Sequence, residues 1–110
     1  MAITYEVKVT RQALEQMQEI THYIAHELYA PDAAYHLLDE MEDTINSLAD
    51  MPKRMSLVDE EPWRTEGVRK ALVKNFIIYF WVDDENVKVQ VIAVIYEKRD
   101  QLEQLKRIQF

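Results

Sequence analysis

The chain has 110 residues, 48% of them hydrophobic, no cysteine and a formal net charge of −7 at pH 7. That length supports one domain, residues 1–110, around a single core, and the absence of cysteine excludes a disulfide framework, a thiol nucleophile and a cysteine-based zinc site. Residues 1–50 hold two basic side chains against ten acidic ones, whereas residues 51–110 hold eleven against ten, a balance that argues against a nucleic-acid binder working through a summed positive field.

The N-terminal MAITYEVKV carries no basic-then-apolar leader, and the longest apolar run is far shorter than a bilayer span. A soluble cytoplasmic protein with no membrane partner is therefore expected. Ile3, Tyr5, Val7 and Val9 alternate with polar residues, which predicts a strand with one buried face. Thr10 supplies an N-cap hydroxyl. Leu14, Met17, Ile20, Ile24 and Leu28 then recur at helical spacing and predict a helix of about five turns. Pro31 and Asp32 open a second helix with Ala34, Leu37, Leu38, Met41, Ile45 and Leu48 on its apolar stripe. The short link makes the two an antiparallel hairpin, and Met51-Pro52 ends it.

Residues 52–67 contain two of the three prolines and the only glycine, and read as a loop that Trp63 anchors to the core. Three strands follow, over residues 68–74, 76–82 and 87–95. Phe76 to Val82 (FIIYFWV) has no alternation, as expected of an interior strand covered on both faces. The last strand carries Val87, Val89, Val91, Ala93 and Ile95 on one face, leaving Tyr96 on the other. Asn86 is the residue of its turn suited to a left-handed conformation. The tail, Asp100 to Phe110, is compatible with a short helix. The order β-α-α-β-β-β predicts an α+β fold, a helical hairpin packed on a mainly antiparallel four-stranded sheet.

His22 and His26 stand four residues apart with Glu19 nearby, but they share the solvated face of the first helix and lack the H-E-x-x-H pattern, so no metal is assigned to them. No Gly-rich phosphate loop or serine–histidine pair appears, and no cofactor is expected. Three residues fit functional roles. Arg69 can grip a carboxylate or phosphate bidentately. Tyr96, followed at once by Glu97, Lys98 and Arg99, is a phenol beside cations, able to move a proton or orient a nucleophile while Arg99 binds phosphate. Each also has an ordinary use as a sheet-rim residue. Lys70 and Lys74 fall on the face opposite Arg69.

Three stretches together carry a resemblance: a second helix closing on SLADMP, the Gly-Val-Arg lead-in to the second strand, and a valine-rich final strand closing on Arg-Asp. This pattern, over nearly the whole chain, resembles the RelE/ParE superfamily of bacterial type II toxins. The resemblance implies a growth-inhibiting toxin neutralised by a cognate antitoxin whose C-terminal segment wraps it. RelE-like members cut mRNA in the ribosomal A site with basic residues and a C-terminal tyrosine or histidine; ParE-like members poison DNA gyrase. Arg69 matches a basic residue of the RelE set and Arg99 the arginine after the last strand, while Tyr96 lies near a histidine of some relatives. Ala71, Ile77 and Leu105 stand where RelE-like toxins often carry basic or tyrosine residues. These departures favour a ParE-like or nuclease-poor mode over a ribosome-dependent mRNA endoribonuclease. A non-enzymatic protein-binding module is the remaining alternative.

Overall fold

The computed structural model describes residues 3–97. The elements are β1 (Glu6–Val9), α1 (Arg11–His22), a π-helical turn (Tyr23–Glu27), α2 (Pro31–Ser47), a 3-10 turn (Pro52–Arg54), α3 (Trp63–Glu66), β2 (Val68–Val73), β3 (Phe76–Asp83) and β4 (Lys88–Tyr96). The strands form one sheet in the order β1-β4-β3-β2. β2–β3 and β3–β4 pair antiparallel, while β1 runs parallel to β4 and makes the sheet mixed. The helical hairpin packs on one face. Among the described residues no helix is long and apolar enough to cross a membrane. The short helix expected in the tail falls outside the described residues.

Thr10 caps α1, its hydroxyl accepting the Ala13 N–H at 3.2 Å. The stripe of α2 is buried at Ala34, Leu37, Met41, Ile45 and Leu48. On α1 the buried stripe is shifted from the one expected. Ala13, Met17, Ile20 and Ile24 pack against the core, whereas Leu14 and Leu28 remain 48% and 55% exposed. Leu14 sits one position past Ala13, on the flank. Leu28 is turned off the stripe by the π-helical turn, whose Leu28 N–H to Tyr23 C=O bond of 3.2 Å closes a wider ring and so inserts an extra residue. After α2 the chain leaves through Met51, which is left-handed at φ 48° rather than extended.

β3 is an interior strand, with Ile77, Ile78, Tyr79 and Phe80 all buried. Simple alternation along β4 fails. Phe80 pairs with Val91 and Tyr79 with Ala93, which makes Ile92 an extra residue and reverses the faces beyond it. Val89, Val91 and Val94 therefore join Ala71, Val73, Ile78, Phe80 and the helices in the larger core. Ile92, Ala93 and Ile95 join Val58, Val68, Ile77 and Tyr79 in a smaller core on the opposite face, with Trp63 packed against it. Tyr96, placed on the less covered face by the sequence pattern, is turned to the helix side against Phe76. In the β3–β4 turn the left-handed residue is Val87, at φ 52°. Asn86 instead donates its side-chain amide to Asp83 at 2.8 Å.

The loop is tied down along its length. Leu57 bridges Arg69, Val58 N–H donates to the Val68 carbonyl at 3.0 Å, and Lys70 N–H donates to the Ser56 carbonyl at 3.0 Å. These contacts cover the outer edge of β2, an edge that would otherwise present unpaired backbone groups. Gly67 ends α3 at φ 92°, a left-handed cap that glycine adopts without strain. Leu72, on the same face as Val68, is exposed, so that face is only partly covered.

Candidate functional site

At the end of the sheet where β2 begins, Arg69 lies across the loop. Its guanidinium donates to the carbonyls of Met55 at 2.6 Å and Lys53 at 3.3 Å. The neighbouring Arg54 donates to the carbonyls of Ser47, Asp50 and Met51, meeting the unpaired carbonyls and the negative dipole end of α2. Lys53 is 2.6 Å from the Asp84 carboxylate, which also accepts the Tyr5 hydroxyl at 2.9 Å. The Lys53 ammonium, and then the Tyr5 hydroxyl, hold Asp84 below the usual carboxylate range. The same carboxylate, by accepting its hydrogen bond, pushes the Tyr5 phenol up. Tyr5, Lys53, Arg69 and Asp84, distant in sequence, thus meet at one rim. The visible signal for Lys53 and Arg54 was their position directly after the helix-ending Met-Pro. Nothing in the sequence singled out the pairing of Tyr5 with Asp84.

Tyr96 stands elsewhere. β1 pairs with β4 only from Lys88 to Val91, so among the described residues the outer edge of β4 has no neighbouring strand beyond that point. Helix α1 crosses there instead, and the Gln16 side chain accepts the Val94 N–H at 2.8 Å, satisfying a backbone donor that a strand would have taken. Between α1 and this edge runs a groove of about 740 Å³, walled by Ile20, Tyr23, Ile24, Leu28, Phe76 and Tyr96. The Tyr96 and Phe76 rings are 5.5 Å apart and tilted by 54°.

Arg69 is level with Phe80 and Tyr96 with Phe76, on strands to either side of β3. They are roughly 13 Å apart along the strands, plus two strand spacings across. The structure does not bring them together. Arg99 lies outside the described residues. Lys74, expected opposite Arg69, is left-handed in the β2–β3 turn and pairs at 3.5 Å with Glu40 of α2, on the helix side. His22 and His26 stack with ring centroids 4.3 Å apart on the outside of the hairpin. Among the described residues no group of three or more histidine or acidic side chains is placed to hold a metal.

A family model described as the ParE toxin of the type II toxin-antitoxin system, parDE, matches residues 7–101. No curated protein matches the sequence. Solved structures share the fold at low identity. The chromosomal ParDE system of P. aeruginosa superposes with a TM-score of 0.67 at 20% identity, over 86% of this chain and 98% of that one. The RelBE2 complex of Mycobacterium tuberculosis gives 0.60 at 18% identity, over 86% and 92%. A free-state mutant of E. coli RelE gives 0.60 at 17% identity, over 96% and 99%.

Proposed function

Because the chain belongs to the ParE toxin family of type II toxin–antitoxin systems, we propose that it arrests growth in the ParE manner, by poisoning DNA gyrase, and not by cutting ribosome-bound mRNA. The observation that carries this reading is the burial of two positions. Ala71 and Ile77 stand where RelE-like toxins often carry cations, and they are 3% and 2% exposed, one in each core. A cation at either would be charge in an apolar interior, so the sheet is packed in a way that leaves no room for that part of an RNA-cutting set. The engagement of Arg69 with two carbonyls supports the same reading.

In this proposal the cognate antitoxin brings basic residues to the acidic helical hairpin, whose tip presents Tyr29, 88% exposed, and Tyr35. Exposed tyrosines of this kind anchor protein interfaces, and the charge contrast aids association. The test is induction of the chain alone in a bacterial host. Growth should stop, resume when the neighbouring antitoxin frame is co-expressed, and be accompanied by trapped gyrase–DNA complexes with intact mRNA 5′ ends. Codon-specific mRNA cuts that disappear in Arg99→Ala, Tyr96→Phe or Arg69→Ala would overturn the gyrase reading in favour of the nuclease. Unimpaired growth at high soluble expression would overturn both and leave a binding module.

A further inference from the structure

The two histidines on the outside of the hairpin are in contact, and their surroundings leave them free to act together. His22 closes α1 and His26 lies inside the π-helical turn that follows, with ring planes tilted by 36° as well as stacked. Both are exposed, and among the described residues neither imidazole has a hydrogen-bond or ion-pair partner. A polar side chain with nothing to hold it normally spreads into water. This pair is instead gathered at a π turn, a local widening that recurs at functional sites. The turn is fixed by the Leu28 N–H to Tyr23 C=O bond and by an Ala30 N–H to Ile24 C=O bond of 3.1 Å, and it delivers the chain to Tyr29, left-handed at φ 52°.

We infer that His22 and His26 chelate one divalent transition-metal ion of the zinc, nickel or copper class. The spacing of the rings fits. Two imidazoles bound to one ion at about 2.0–2.1 Å, with an angle of about 90–100° between the bonds, place their ring centroids about 4.5–5 Å apart. The observed 4.3 Å is reached from there by a small rotation of each side chain. The field fits as well. Glu15, Glu19 and Glu27 wall a shallow hollow of about 570 Å³ beside His22, and clustered carboxylates draw cations to such a surface. Among the described residues no third histidine or carboxylate completes the set, so the ion keeps positions for water or for a partner's side chain. Imidazole donors suit zinc, copper and nickel, whereas magnesium and calcium take oxygen ligands. A bound ion would tie the last turn of α1 to the π turn and so fix the direction in which the chain enters the hairpin tip. The site stands on the two imidazoles alone, and it holds or fails independently of the mode of growth arrest.

The test is titration of the untagged full-length chain with Zn²⁺ and with Ni²⁺, followed by calorimetry and by NMR of the histidine side chains. One ion per chain is expected, with the His22 and His26 ring resonances moving together and no response to Mg²⁺. His22→Gln and His26→Gln should each weaken binding by at least about tenfold, since losing a group that merely orients a ligand already costs that much. His36→Gln, on α2, should leave the affinity unchanged. Hydrogen exchange gives a second readout: the Leu28 and Ala30 amides should exchange more slowly when Zn²⁺ is bound, an effect absent from both single variants. All three sites being exposed, the variants should fold as the natural chain does. Binding that survives in the double variant would place the ion on the glutamates and overturn the inference. Loss in only one of the two single variants would overturn the chelate, as would the absence of any heat or ring shift in the natural chain.

Discussion

The two faces of the sheet are built on different principles. The helix side is a continuous apolar core in which Met41, Leu48, Phe80, Val89 and Val91 are fully buried and contributed by α2, β3 and β4. The opposite side has a small core around Val58, Ile77 and Tyr79, and its cover is a loop. That cover is fixed as much by polar contacts as by packing: Arg64 donates to the Val58 carbonyl at 3.1 Å, the Trp81 indole donates to the Glu66 carbonyl at 2.9 Å, and Thr65 donates to Glu61. One face is held by buried area. The other is held by a smaller apolar core together with hydrogen bonds, which individually contribute less and can open locally.

The contrast can be broken at its strong side first. Phe80→Ala should cost about 3–5 kcal/mol, seen as a loss of global stability in denaturant unfolding, because the void opens among helices and sheet alike. On the loop side, Val58→Ala should cost about 2 kcal/mol. Its signature should be local: the Lys70 amide, bonded to Ser56, should exchange faster while amides of β4 keep their protection. Uniform acceleration would mean that the two faces form one cooperative unit.

Tyr79→Phe should move the opposite way. Among the described residues the Tyr79 hydroxyl is buried without a hydrogen-bond partner, and burial pushes its pKa up to about 12. Removing an unsatisfied buried hydroxyl should leave stability unchanged or raise it by up to about 1 kcal/mol; a clear loss in thermal unfolding would show that the hydroxyl finds a partner in solution.

The smallest effect should appear in acid. The Thr65 hydroxyl and then its backbone N–H hold Glu61 below the usual carboxylate range. Its folded value lies below its unfolded one, so the contribution is complete above the ordinary carboxylate range and lost as pH falls through the lowered value. Thr65→Val should therefore make stability less dependent on pH in that window, with the two proteins converging at lower pH. A parallel offset at every pH would assign the effect of Thr65 to packing.

Much of the fold was legible in the chain. The unalternating Phe76–Val82 run announced the interior strand, the 3.6-residue stripe of α2 matched its buried face, and Pro31 and Gly67 marked real boundaries. The candidate site was much less so. Arg69 read as a cation able to grip a carboxylate or phosphate, yet its guanidinium is engaged by carbonyls of a loop sixteen and fourteen residues away. Such a contact depends on where the loop lies, and local periodicity carries no information about that. Tyr5, Lys53 and Asp84 were unremarkable one at a time and become a group only when the turn after β3 comes to rest beside the start of β1.

By itself the sequence determined the order of elements, the two amphipathic helices, the core strand and the likeness to a toxin superfamily, because these follow from residue spacing and from special residues acting on their neighbours. Only the tertiary structure decided which face each side chain of β4 takes. One extra residue at Ile92 exchanges the two faces of an entire strand end. That single reversal turns Tyr96 from the open side of the sheet into the wall of a groove. It takes effect through pairing with β3, a partner the local pattern of β4 does not encode.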